Sequence, residues 1–231
     1  MFKIMGINLV FYNLRSVFLL LLFFCFGQNL FSLDSPCVNC NQFLNNQSER
    51  VTEMLTYAKK KDAYWQQNSL FLGIILPEFV TQTEFEQFRE QALFSAASFF
   101  STESCEKISI GPFQMQPAFI FSVIMYSHDF YLNHIANYDK VKKGGVKYII
   151  SNYATFKSLD VQLFVLKNFI MKCFYENKDL ASLKPVEAMK IMSIKYNSGS
   201  YLRRSIHFQK INCENRHYSD WANFLLSYFR I

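Results

Sequence analysis

From about Ser48 onward, apolar positions recur at the spacing of helices and almost nowhere at the strict alternation of strands. Ser48–Glu49 opens a first helical pattern that runs to about Gln67. Leu70 to Val80 is short and strongly apolar, with Pro77 and Glu78 near its end. Thr83 followed three residues later by Glu86 has the form of a capping box, in which each side chain satisfies an orphan N–H of a helix start. Behind it Phe85, Phe88, Ala92, Ala96 and Phe99 return every third or fourth residue, predicting an amphipathic helix. The pattern breaks over Ser101 to Gln116, and Pro117 suits the first position of a helix reaching about Asn137. Lys142-Lys143-Gly144-Gly145 reads as a turn. Leu159, Leu163, Leu166, Ile170 and Cys173 form another helical stripe with Ser158 as its cap. Pro185 opens a helix that stops at Asn197-Ser198-Gly199, and Ser219 begins the last one, to Phe229. These elements predict an all-α fold with a single helical domain over 48–231.

The amino end has a different pattern. Val17 to Phe26 is an uncharged apolar run of ten residues, with Lys3 and Arg15 before it. As a helix it spans only about half of a bilayer's hydrocarbon core, so 1–27 reads as a signal peptide, with an uncleaved signal anchor as the alternative. Residues 28–47 then read as a polar linker. The expected location is outside the cytoplasm, periplasmic or extracellular.

Composition narrows the class. Charged residues are only 18% of the 231-residue chain and apolar ones 51%, which excludes a disordered protein. Seven Gly and five Pro are too few for a barrel or sandwich of many short strands. The aromatic surplus, with 26 Phe and 13 Tyr, is mostly core. A net charge of +6 with only short basic runs (Lys59-Lys60-Lys61, Lys142-Lys143) does not describe a nucleic-acid face. Loss of 1–27 leaves Cys37, Cys40, Cys105, Cys173 and Cys213, an odd number for an oxidising compartment. Cys37-x-x-Cys40 lacks a strand–helix context, and a zinc site joining it to His207, Cys213 or His217 would lack ligand spacing in its second half. The pair reads as a local disulfide or as free thiols. His128 and His134, six apart, do not share a helical face. Neither a metal nor a cofactor is expected.

Two segments are not explained by packing. Ser109-Ile110-Gly111-Pro112-Phe113-Gln114-Met115-Gln116-Pro117 enters a helix, and Tyr196-Asn197-Ser198-Gly199 leaves one. A Gly-x-x-Gln followed downstream by Tyr-Asn-x-Gly resembles the lytic transglycosylase and goose-type lysozyme superfamily. PEFV followed by SIGPFQMQPAF is similar, more narrowly, to a group of exported bacterial lysozyme-like proteins. The resemblance covers Glu78 to Gly199, about half of the chain. It implies a lysozyme-like helical domain acting on peptidoglycan glycan strands, with Glu78 as the catalytic acid. It further implies that Gln114 projects into a sugar groove and that Gly111 lets the backbone turn close to the glycan. Tyr196 would hydrogen-bond the Glu or a sugar, and Asn197 would fix the turn beside it. Phe113 and Met115 read as core.

This chain departs from the family pattern in two places. Phe79 follows Glu78 where the usual transglycosylase has Ser, and the gap to Gly111 is wide enough to hold the extra helix Thr83–Phe100. Glu103 and Glu106 are the alternative acids, although their neighbourhood (STESCEK) is that of a solvated loop.

The chemistry prefers Glu78. Protonating a leaving glycosidic oxygen needs a carboxyl that keeps its proton near neutral pH, which apolar surroundings favour. Ile74, Ile75, Leu76, Phe79 and Val80 supply them in sequence. A hydrolase normally needs a second carboxylate, whereas a lytic transglycosylase uses one Glu as acid and then as base. With no other Asp or Glu in a comparable setting, the expected activity is that of a lytic transglycosylase. The alternative is a glycan-binding or envelope interaction module that keeps the scaffold without cleaving.

Overall fold

The first stripe to find a partner is Leu44, Val51, Met54 and Ala58, buried along one side of helix α1, Cys40–Lys61. The computed structural model describes residues 40–82, 90–92, 94, 105, 108–127, 138–199 and 218–231. The signal segment 1–27, the capping box Thr83/Glu86, Glu103, Glu106, Cys37, Cys213 and all four histidines lie outside them. Helix α1 starts inside the stretch read as a linker, well before Ser48. Its amino-terminal turns are held because Leu44 is buried there. Lys59, Lys60 and Lys61 close it, a favourable place for positive charge against the helix dipole.

The pattern read as one helix to Gln67 is two. Asp62 adopts an extended backbone and caps α2, Ala63–Gln67, its carboxylate accepting from the Tyr64 N–H at 2.8 Å. The apolar run that follows is likewise divided. Ser69–Ile74 is a 3-10 helix, and a separate short helix α3, Leu76–Thr81, begins around Pro77. Proline lacks an N–H and fits a first turn, so Pro77 starts a helix here instead of ending one. Glu78 therefore lies in the first turn of α3 and does not close a longer apolar helix.

Helix α4, Pro117–Ser127, begins at its proline as the sequence predicts. The Lys142–Gly145 segment is not a free turn. It lies within α5, Tyr138–Ser151, which is helical on both sides of a break at Gly145 (φ 60°, ψ −154°), a conformation open to glycine. A single turn, α6 (Tyr153–Phe156), leads to α7, Leu159–Glu176, capped by the Ser158 hydroxyl. A second 3-10 helix, Lys178–Ser182, precedes α8, Pro185–Gly199, and α9, Tyr218–Phe229, ends the chain.

Residues 40–231 form one compact unit. Helix α7 buries Leu163, Val165, Leu166, Phe169, Ile170 and Cys173 and packs on α4, which packs on α5. Helix α9 lies against α8, α3 and the first 3-10 helix. The fold is all-α; among the described residues the only extended pairing is an isolated antiparallel bridge between Ile110 and Met115. No helix among them is long and apolar enough to cross a membrane. Cys105 and Cys173 are buried free thiols, and burial pushes the Cys173 thiol up to about 11.

Candidate functional site

The Gly111–Gln114 segment folds into a tight reverse turn. Ile110 and Met115 exchange backbone hydrogen bonds at 2.9 and 3.1 Å, and the Gln114 N–H donates to the Gly111 carbonyl at 3.1 Å. Two residues of this turn have left-handed backbones, Gly111 at φ 72° and Gln114 at φ 56°. Glycine adopts that region without cost, whereas a side-chain-bearing residue there stores strain of about 1–3 kcal/mol. Gly111 also has no room for a side chain, since a Cβ would lie 2.2 Å from Nε2 of Gln162. Gln162 is itself fully buried on α7. Its amide accepts from the Phe113 N–H at 2.8 Å and donates to the Ile110 carbonyl at 2.5 Å, so one side chain satisfies both arms of the turn from within.

Tyr196 reaches the same turn from α8. Its hydroxyl donates to the Phe113 carbonyl, and its ring meets Phe119 and Phe169 edge-on at 5.3 and 5.9 Å. The phenol is pushed well up, first by burial and then by the nearby charge of Glu78. The bond expected from Tyr196 to the Glu or to a sugar is thus made instead to the backbone of the motif turn, because the ring is packed inside the core. Asn197 is half-buried in the last turn of α8, which runs to Gly199.

Glu78 arrives on α3, half-buried between the buried Pro77 and Phe79. Phe79 turns into the core and stands edge-on to Phe113 at 6.1 Å. The guanidinium of Arg50 lies 4.4 Å over the other neighbour of this contact, the Phe79 ring, and donates to the Gln82 carbonyl at 2.5 Å. One turn beyond Glu78, the buried Gln82 amide donates to the Gly111 carbonyl at 3.0 Å and to Oε2 of Glu90 at 3.2 Å. The helix that carries Glu78 is therefore tied directly to the motif turn.

Glu78, Gly111, Gln114 and Tyr196 thus come from three parts of the chain to one place. Phe113 and Met115 are buried, as core residues should be. Four further participants, Gln82, Glu90, Gln162 and Arg50, are not singled out by the sequence pattern. Gln162 had a faint signal, a polar amide between Val161 and Leu163 beside an apolar stripe. Among the described residues no three His, Cys, Asp or Glu side chains gather as a metal site. Comparison with protein-family models, with curated proteins and with solved structures found no match.

Proposed function

We propose that this chain is an exported glycosidase that cleaves peptidoglycan glycan strands in the manner of a lytic transglycosylase, with Glu78 as its acid and base. The observation that carries the reading is the convergence of the two motif segments on Glu78. The Tyr196 hydroxyl bonds the Phe113 carbonyl of the turn while lying within the field of the Glu78 carboxylate.

In this mechanism the Glu78 carboxyl gives its proton to the glycosidic oxygen as the bond from that oxygen to the anomeric carbon breaks. The resulting carboxylate takes the proton of the sugar's own 6-hydroxyl, whose oxygen bonds the anomeric carbon and closes an anhydro ring. Both steps balance with a single carboxyl, and no water is consumed. Gln114, half-exposed at the turn, offers an amide to sugar hydroxyl or acetamido groups. One observation favours a second reading, a glycan-binding module without cleavage. The residue after Glu78 is Phe79, committed to the core, where the family pattern has a polar Ser.

Glu78→Gln keeps the shape but has no proton to give, so turnover of purified peptidoglycan is expected to fall about a hundredfold or more. Mass spectrometry of the wild-type products should find anhydro ends. Ordinary reducing ends would indicate hydrolysis. Equal glycan binding by both proteins with no cleavage by either would favour the binding module.

A further inference from the structure

Glu90 is a buried acid, 4% exposed, in a helical stretch that no sequence motif marks. Its Oε2 accepts from two neutral amides at once, Nε2 of Gln114 at 2.9 Å and Nε2 of Gln82 at 3.2 Å. Its charge also reaches Tyr153, whose phenol is pushed up by burial first and by Glu90 second. A buried carboxylate is costly unless hydrogen-bonded, and a hydrogen bond to an ionised acceptor is stronger than one between neutral groups. Two such bonds can hold a strained neighbour in place, and that neighbour is Gln114 with its left-handed backbone.

The geometry has a further consequence for Gln114. A carboxylate only accepts, so it selects the NH2 end of the amide, and the flipped rotamer would set two oxygens against each other. With Nε2 turned inward to Glu90, the carbonyl oxygen of Gln114 takes no hydrogen bond from any described residue. We infer that Glu90 is a positioning residue, which fixes the Gln114 amide so that its carbonyl oxygen faces the ligand and reads a hydrogen-bond donor. On a glycan the donors of that kind are a hydroxyl or an acetamido N–H. The ligand half of this inference rests on the glycosidase reading above; the orientation of the amide does not.

The test uses the full chain, wild type and Glu90→Gln, with Gln114→Asn to assign the Gln114 side-chain NH2 signals by nitrogen-15 NMR. In the wild type one of the two Gln114 Nε2 protons is expected downfield and protected from solvent exchange, and in Glu90→Gln that protection is lost. An ordinary, fast-exchanging Gln114 amide in the wild type overturns the inference whatever the protein does to glycan. On peptidoglycan, Glu90→Gln is expected to raise KM about tenfold with kcat within about threefold, the pattern of a lost binding contact. A fall in kcat as deep as that of Glu78→Gln with KM unchanged would overturn it too, making Glu90 a proton-transfer group. A protected amide in a wild type that cleaves nothing would support the positioning and sink the glycosidase reading instead. Thermal melts of Glu90→Gln and Glu90→Asp separate unfolding from lost positioning, and partial recovery of KM by Glu90→Asp is expected.

Discussion

Gly111 and Gly145 both have left-handed backbones, at φ 72° and φ 60°, yet they carry unequal weight. A Cβ on Gly145 would meet nothing within 4 Å, so Gly145→Ala costs backbone strain alone, about 1–3 kcal/mol for a backbone at ψ −154° that is nearly restricted to glycine. A Cβ on Gly111 would also strike Gln162 at 2.2 Å and come within 2.9 Å of the Lys157 carbonyl. The Gln162 amide would have to leave the Phe113 N–H and the Ile110 carbonyl, stranding buried polar groups at about 1–3 kcal/mol more. Gly111→Ala is therefore expected to lower the melting temperature well beyond Gly145→Ala, and equal shifts in a paired thermal melt would contradict this account of the turn. The resemblance marked Gly111 as a close approach to a glycan; what the structure shows is a close approach to Gln162. Gln162 was marked only by its polarity beside an apolar stripe and Glu90 not at all, because each takes its meaning from partners far along the chain, and periodicity reports only which face is apolar.

At the scale of elements, starts and stops were legible where one residue enforces them. Pro117 and Pro185 open helices α4 and α8, and Ser158 caps α7 as its position predicts. Boundaries went unread where the deciding force was burial or a break within an apolar run. Leu44 extends α1 upstream, and Pro77 separates α3 from the 3-10 helix before it. Asp62 was hidden inside a continuous helical pattern, although it caps α2 and pairs with Lys167 of α7 at 2.6 Å. Burial pushes its carboxyl up, but the Lys167 ammonium and the Tyr64 N–H together hold it below its ordinary 3.8. A carboxyl depressed in the folded state stabilises fully above the unfolded value and loses that contribution as pH falls through the folded one. Asparagine caps about as well as aspartate, so Asp62→Asn isolates the ion pair, worth about 0.5–1 kcal/mol at this half-exposed site. The wild type should melt above Asp62→Asn at neutral pH, with the gap closing in acid as the pH falls below the ordinary 3.8 and through the depressed folded value. A gap that persists undiminished in acid would show that the pair is not its cause.

At the scale of the whole 40–231 unit, the decisive feature is that α9 packs back on α1 and α3. Tyr228 of α9 donates to Asn45 of α1 at 2.7 Å, and α9 presses on α3 and on the 3-10 helix that precedes it. The fit is close enough that Gly73 has no space for a methyl, since its Cβ would lie 2.7 Å from Cδ1 of Leu226. The sequence predicted α9 but not the 3-10 helix that carries Gly73, and it could not predict this meeting, which depends on chain return across most of the domain. Gly73→Ala is expected to cost about 1–3 kcal/mol by overpacking, and Leu226→Ala about 2–5 kcal/mol by opening a cavity at a site 4% exposed. Together the two changes exchange volume across one contact, so the double variant should be less destabilised than the sum by about 1 kcal/mol or more. Chemical denaturation of the four proteins measures that coupling, and strict additivity would show that α9 does not seat on Gly73. Because α9 backs the helix that carries Glu78, Leu226→Ala should also loosen the site. Under the proposed glycosidase function, glycan turnover should then fall in Leu226→Ala and recover in part in the double variant, in step with the restored packing.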